Sequence, residues 1–375
     1  MPALYLHIPF CKTRCIYCDF YSETSLQLQN RYVAALCREM AMRRHYLSDN
    51  HLASVYFGGG TPSLLKENHF VQIFDAIRSC FLLSPDTEIT VECNPDDISK
   101  PLILSLKHLG VNRISIGVQS FHDTELQFLH RRHSARQAVD AVKLCQQCGI
   151  ANISIDLIYG LPHQTPDVWA ATLQQAVTLN VPHISAYSLT YENTTPLTRL
   201  LQQGKIQQLE EDIALQLFEL LLDTMHRNGF IQYEISNFCQ PGFHSRHNTA
   251  YWTNASYLGL GAAAHSFDGV SRQWNCADVK RYCDATECED LVVEREILSV
   301  RERYNEFVFT ALRRTEGIAL DELECYFGKE YTDYCLTNSD IYRRCHWLEI
   351  ADNHLRLTQR GIFVSDRIMS ELMML

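Results

Sequence analysis

Three cysteines fall within one short stretch, Cys11-Lys12-Thr13-Arg14-Cys15-Ile16-Tyr17-Cys18, directly after the strand-like run Tyr5-Leu6-His7-Ile8. Three thiolates at the spacing C-x3-C-x2-C on a tight loop can hold three corners of a [4Fe–4S] cube and leave the fourth iron without a protein ligand. That open iron is where chemistry would occur. Zinc ordinarily draws four protein ligands from two paired motifs, and no second Cys/His pair lies at short spacing nearby. A disulfide framework belongs to small secreted chains, whereas this sequence runs to 375 residues. On spacing alone the cluster leads, with zinc or unliganded thiols as the alternatives.

Further along, Ser54-Val55-Tyr56-Phe57 reads as a buried strand and runs into Gly58-Gly59-Gly60-Thr61-Pro62. Glycines at the carboxyl end of a strand let backbone approach a ligand and offer N–H groups to an anionic one, although tight turns use the same residues. Combined with C-x3-C-x2-C, the run resembles the radical S-adenosylmethionine superfamily. The resemblance implies that the methionine moiety of S-adenosylmethionine chelates the open iron while the glycine-rich strand binds its amino end.

The elements that must position these residues repeat one theme: an apolar strand, a polar loop and an amphipathic helix. Strands are expected at Ala3 to His7, Ser54 to Phe57, Glu88 to Cys93, Arg113 to Val118, Asn152 to Ile158 and His183 to Leu189. Helical spacing of apolar residues predicts helices over Gln29 to Tyr46, Leu64 to Phe81, Ser99 to Leu109, Ala135 to Cys148 and Pro166 to Leu179. Such alternation implies a parallel sheet with right-handed crossovers, and six units suggest an α/β fold built on an open (β/α)6 partial TIM barrel. Ligands then sit over the carboxyl ends of the strands, where the βα loops converge. Polar residues collect there: the cysteines, the glycines, Glu92 and Asn94, Gln119, Asp156, and Ala186-Tyr187-Ser188. Taken singly, Glu92 or Asp156 is more simply a core carboxylate paired with Arg113 or Arg131, and Arg131 a solvated helix charge. Convergence on one rim changes the balance, because ribose hydroxyls suit a carboxylate acceptor and a methionine carboxylate suits an arginine fork.

The segments Tyr5-x-His7-Ile8-Pro9-Phe10-Cys11, Gly58 to Pro62, Glu92-x-Asn94-Pro95, Arg113-Ile-Ser115-x-Gly117-x-Gln119-Ser120 and Asp156 to Pro162 resemble, in order, those of the oxygen-independent coproporphyrinogen III oxidase (HemN-like) family. The resemblance assigns Cys11, Cys15 and Cys18 to the cluster. It assigns Tyr5, Tyr17, Gly59, Gly60, Thr61, Glu92, Gln119, Arg131, Asp156 and Ala186 to S-adenosylmethionine. In active family members one electron from the cluster cleaves that cofactor to a 5′-deoxyadenosyl radical, with flavodoxin or ferredoxin as possible electron donor. Two branches divide here. The coproporphyrinogen dehydrogenases carry a fourth cysteine two residues beyond the third, where this chain has Phe20, and an extension before the first strand, where this sequence begins. Both departures point to the HemW branch of haem chaperones, which pass haem to an acceptor protein. Tyr233 to Phe238, His247-Asn248-Thr249-Ala250-Tyr251-Trp252 and Tyr257 to Ala262 resemble that branch. The resemblance implicates the H-N-x-x-Y-W element, hence His247, Tyr251 and Trp252, in haem binding: an imidazole can ligate haem iron, and the two aromatic rings offer flat apolar faces. The bland reading makes these residues loop fixers and core. The alternative function is oxidative decarboxylation of coproporphyrinogen III, a dehydrogenase-like oxidoreductase activity.

A first boundary is expected after Thr195, giving a radical S-adenosylmethionine core over 1–195 and an extension with the H-N-x-x-Y-W element over 196–285. Leu209 to Arg227 reads as one helix ending at Gly229. Residues 286–375 read as a C-terminal α+β, winged-helix-like domain: helices over Glu294 to Arg313, Leu320 to Phe327 and Asn338 to His346, and a hairpin over Leu348 to Leu357 turning at Asp352-Asn353. A net charge of −11 without a lysine-rich run argues against nucleic acid as partner. No apolar run reaches the roughly 20 residues of a membrane span, and no signal peptide is evident. Fifteen cysteines without a pairing pattern point to a reducing, cytoplasmic setting.

Overall fold

A computed structural model describes residues 1–374. Six parallel strands form its centre: β1 (Ala3–Ile8), β2 (His51–Gly59), β3 (Leu82–Cys93), β4 (Arg113–Gln119), β5 (Asn152–Tyr159) and β6 (His183–Ser188). The helices between them are α1 (Gln29–Met42), α2 (Glu67–Cys80), α3 (Lys100–Leu109), α4 (Asp123–Phe128), α5 (Ala135–Gln147) and α6 (Pro166–Thr178). Each expected strand and helix of this region is present, with ends displaced by a few residues.

Local chemistry explains the boundaries. Ser99 and Thr165 cap α3 and α6, each with a proline in the first turn, and Ser134 with Gln137 forms a capping box on α5. Along β4, Ile114, Ile116 and Val118 are fully buried in the apolar core, while Arg113, Ser115, Gly117 and Gln119 alternate onto the opposite face and line the barrel lumen.

β1 and β6 do not pair with one another, so the barrel is open. The chain continues through α7 (Pro196–Gln202), α8 (Glu211–Arg227), β7 (Ile231–Glu234), β8 (Asn237–Cys239), α9 (Arg246–Trp252), β9 (Tyr257–Leu260), β10 (His265–Phe267), β11 (Ser271–Asn275), α10 (Val279–Glu287) and β12 (Val293–Ile297). β8 joins β6 antiparallel, and β9 joins β1 parallel and leads out to β10, β11 and β12. The result is one 12-stranded sheet.

A buried polar hub ties α1 to this added sheet. The fully buried Glu39 carboxylate accepts from Arg43 Nη1 at 3.1 Å, Asn275 Nδ2 at 2.8 Å, Tyr282 OH at 2.6 Å and the Gly261 N–H at 2.8 Å. A buried charge is tolerated when its lone pairs are satisfied in this way.

The remainder is α11 (Val300–Arg313), β13 (Ile318–Ala319), α12 (Leu320–Phe327), α13 (Lys329–Arg344), β14 (Leu348–Ala351), β15 (His354–Leu357), α14 (Gln359–Ile362) and α15 (Ser365–Leu372). Its helix, strand, two helices and hairpin are in winged-helix order, around a separate apolar core that includes Tyr304, Val308, Leu323 and Leu355. Asp352 and Asn353 both adopt positive φ at the hairpin turn, as a two-residue turn of that hand requires. Two expectations need correction. Residues 293–297 form an edge strand, not the start of a helix, because Ser299 and Glu302 make a capping box that starts α11 at Val300. The helix placed at Asn338 begins at Lys329, after Gly328.

Candidate functional site

The cysteine loop is fastened at both ends. Cys11 N–H donates to the Glu23 carbonyl at 2.9 Å and Glu23 N–H to the Pro9 carbonyl at 2.6 Å, closing the loop at its base. The glycine run packs directly beneath it. Gly59 sits at φ +106°, and a Cβ there would lie 2.4 Å from the His7 ring. A Cβ on Gly60 would meet the Ile8 carbonyl at 2.8 Å, and Gly60 N–H donates to that same carbonyl at 2.9 Å. These glycines therefore let the tip of β2 approach the loop, in addition to any ligand they cradle.

A chain of hydrogen bonds joins two of the three thiols through residues in the loops that follow β2, β3 and α4. Thr61 Oγ1 contacts Cys11 Sγ at 3.5 Å, Asn94 Nδ2 donates to Thr61 Oγ1 at 3.4 Å, Arg131 Nη2 donates to Asn94 Oδ1 at 2.8 Å, and Arg131 Nη1 donates to Cys15 Sγ at 3.3 Å. Arg131 is anchored further by the Gly117 carbonyl at 2.6 Å. Among the described residues no three Cys, His, Asp or Glu side chains converge on a single metal ion. All three thiols instead line one cavity of about 790 Å³. Soft donors spread around a space, with cationic Arg131 beside one of them, fit a cluster whose corners are separate irons and whose thiolates carry net negative charge.

That cavity is the barrel lumen. Tyr5, Tyr17, Gly59, Gly60, Thr61, Glu92, Gln119, Arg131 and Asp156 reach it from different strands and loops. Gln119 ends β4 in the left-handed region, φ 67°, after a register shift, a strained conformation of the kind that clusters at ligand sites. Neither carboxylate is an ion-paired core residue: among the described residues neither has a basic side chain within the 4.0 Å of a salt bridge. Glu92 accepts from Tyr56 OH at 2.7 Å, and Asp156 from Ser115 Oγ at 3.3 Å. Burial, opposed by the Tyr56 hydrogen bond and reinforced by Asp156, pushes Glu92 up to about 7. Burial also raises Asp156. Ala186 is buried in β6 with its N–H donated to the Ser236 carbonyl at 2.8 Å, while its neighbours Ser185 and Tyr187 line the lumen.

The lumen floor holds two similar relays. Ser54 Oγ bonds His247 Nδ1 at 2.9 Å and Tyr251 OH bonds His247 Nε2 at 3.1 Å; Ser154 Oγ bonds His183 Nδ1 at 2.7 Å and Tyr233 OH bonds His183 Nε2 at 2.8 Å. Burial first, and Arg113 second, lower both imidazoles, His247 to about 3, so both are neutral. The i, i+4 spacing on α9 puts His247 and Tyr251 on one face toward this floor. Trp252, one residue on, turns into a second cavity of about 590 Å³ between β9–β11 and α11, which Tyr251 also lines. There the Arg313 guanidinium lies 4.9 Å from the Trp252 ring. Sequence reasoning singled out neither Asn94 as the link between thiols nor His183 as the counterpart of His247. Their roles come from partners on other strands, and only the alternation of polar residues along β4 and β5 signalled an inward polar face.

Comparison with known proteins agrees with this geometry. The Radical SAM superfamily matches residues 5–176 and the HemN C-terminal domain matches residues 298–364. The heme chaperone HemW of Bacillus subtilis is 34% identical over 339 residues, covering 88% of each chain. That of Lactococcus lactis is 36% identical over 334 residues, covering 88% of this chain and 87% of its own. In fold, the coproporphyrinogen III oxidase HemN of Escherichia coli superposes with a TM-score of 0.85 at 22% identity, over 99% of this chain and 90% of that one. With such identity over nearly the whole of its relatives, and the thiol-lined lumen of the superfamily, the chain belongs to the HemW family of radical S-adenosylmethionine proteins.

Proposed function

We propose that this protein is a haem chaperone that binds haem and passes it to an acceptor protein. Cys11, Cys15 and Cys18 hold a [4Fe–4S] cluster, and Tyr5, Tyr17, Gly59, Gly60, Thr61, Glu92, Gln119, Arg131 and Asp156 hold an exchangeable S-adenosylmethionine, with Ala186 contributing only by setting Ser185 and Tyr187 at the lumen wall. When bound, these cofactors supply an electron-transfer centre with one iron open to S-adenosylmethionine. The protein's own residues bind and orient. Arg131 balances thiolate charge at Cys15, Thr61 steadies Cys11, and Glu92 and Asp156 present acceptors to ribose hydroxyls. One observation carries the reading: α9, with its H-N-x-x-Y-W residues His247, Asn248 and Tyr251, closes the same cavity that the cluster thiols line. Haem bound through this element would therefore share walls with the cofactor site. His247 is the proposed axial ligand. It is neutral, so it needs no deprotonation, and its Nε2, which bonds the Tyr251 hydroxyl, would be the nitrogen offered to haem iron. In this reading residues 1–195 carry cluster and S-adenosylmethionine, 196–285 the haem element, and 286–375 a lid or docking module. The fifteen free thiols accord with a cytoplasmic setting, and among the described residues no helix is long and apolar enough to cross a membrane.

The test is an anaerobic haem titration of the cluster-reconstituted chain, followed by absorbance, for the native protein and His247→Ala. Saturable, near-stoichiometric binding with a Soret band that shifts or weakens in the variant is expected. Absence of specific binding by the native chain, together with conversion of coproporphyrinogen in the presence of reductant and S-adenosylmethionine, would replace this function with the decarboxylase.

A further inference from the structure

Arg113 is the largest charged side chain fully enclosed in the molecule, with 2% of its surface exposed, and it lines the lumen floor between the two Ser-His-Tyr relays. Among the described residues its guanidinium has no hydrogen-bond or ion-pair partner, and its Nε is buried without one. The groups around it bond to other partners rather than to the guanidinium. His183 and His247 each have both ring nitrogens engaged by a serine and a tyrosine. Glu92 accepts from Tyr56 and Asp156 from Ser115, and both carboxylates feel the Arg113 charge while staying outside salt-bridge distance of it. The floor of the lumen thus holds a fixed cation without a bonded counter-ion, among neutral imidazoles and hydroxyls and with the Glu92 and Asp156 carboxylates nearby but outside salt-bridge distance. A buried charge is retained at such a place when an anion completes it. A planar fork of donors selects a carboxylate.

We propose that Arg113 anchors a carboxylate of the ligand that occupies the lumen. Resting on the haem-handling reading above, that carboxylate is a propionate of the tetrapyrrole. The arrangement orients the cargo: a propionate on Arg113 fixes the edge of the ring nearest the floor, and His247 on the same floor faces the iron. Arg113 is here a binding residue, and it takes no part in cofactor binding.

The experiment compares haem with haem dimethyl ester, which keeps the ring and the iron but carries no anionic propionate. Both are titrated by absorbance into the cluster-reconstituted native chain, Arg113→Met and Arg113→Lys, in the same detergent. The native chain is expected to bind the ester about tenfold or more weaker than haem, as for loss of a buried charge-assisted hydrogen bond. Arg113→Met should bind both forms alike, and Arg113→Lys should retain part of the preference. Equal affinity of the native chain for acid and ester overturns the proposal without recourse to any variant. An undiminished preference in either folded variant, judged by circular dichroism and iron content, overturns it as well. If the native chain binds neither form, the haem-handling reading itself has failed and this proposal falls with it; binding of both forms with equal affinity leaves that reading standing.

Discussion

Glu92 offers a direct measure of how strongly the lumen disfavours charge. Its carboxyl is raised from the ordinary 4.5 to about 7, first by burial and then by Asp156, against the Tyr56 hydrogen bond. Between those values the native state holds a proton that the unfolded chain releases. Stability is therefore unaffected by this group below about pH 4.5 and falls as pH rises toward about 7, levelling off above. At about 1.4 kcal/mol per pH interval the full effect is about 3 kcal/mol, and the partial exposure of Glu92 to the cavity reduces it to about 1–3 kcal/mol. Glu92→Gln keeps an oxygen for Tyr56 but cannot ionise. Urea unfolding of the cofactor-free native chain and of the variant at intervals from pH 5 to pH 8.5 isolates the term. The variant should gain on the native chain by about 1–3 kcal/mol across that range. Parallel profiles would show that Glu92 is ionised throughout and that the lumen solvates it like bulk water, which would refute the reasoning.

Arg131→Met removes the guanidinium that spans Cys15 and Asn94; the cluster should still assemble, but the spectral response to S-adenosylmethionine should require about 10–100-fold more cofactor, and an unchanged titration would exclude Arg131 from that site. Glu39→Ala strands Arg43, Tyr282 and Asn275 in a buried hub and should cost about 3–5 kcal/mol in denaturant unfolding, whereas a loss below about 1 kcal/mol would show that water replaces the carboxylate. Phe20→Ala, at a side chain 66% exposed beside the cysteine loop, should change stability by less than about 0.5 kcal/mol and leave the iron content of the reconstituted protein as it was; a loss of iron would mean that the ring shields the cluster.

The barrel was readable because parallel strands buried on both sides appear as apolar runs between turn signals, and Ser99, Ser134 and Thr165 mark helix starts in the sequence itself. Residues 293–297 are not legible in the same way, because Val-Glu-Arg-Glu-Ile is ambiguous between an edge strand and a helix turn until its pairing with β11 is known. The cysteine loop announced itself by spacing, since one short segment supplies every thiol. Arg113 did not. Its sequence neighbours show only alternation, and its meaning depends on two histidines 70 and more residues away, each already satisfied by other partners. Asn94 likewise matters through Thr61 and Arg131, contacts that no local pattern encodes. Trp252 leaves the lumen, which Tyr251 still lines, for a geometric reason: adjacent positions on a helix point about 100° apart, so one motif serves two cavities.

The placement of β1 has a consequence for biosynthesis. The strand that leads into the cysteine loop pairs on one side with β2 but on the other with β9, which begins at Tyr257. Emergence of those roughly 200 intervening residues takes about 10–40 s at about 5–20 residues per second. Through that interval the outer edge of β1 has no partner, and α1 lacks the Asn275 and Tyr282 contacts of its buried hub. The thiols of the loop are then held by one flank alone and lie open to iron donors or oxidants before the second flank closes. Ribosome-arrested chains ending before and after residue 290 should differ accordingly in thiol alkylation at Cys11, with the longer chain the more protected.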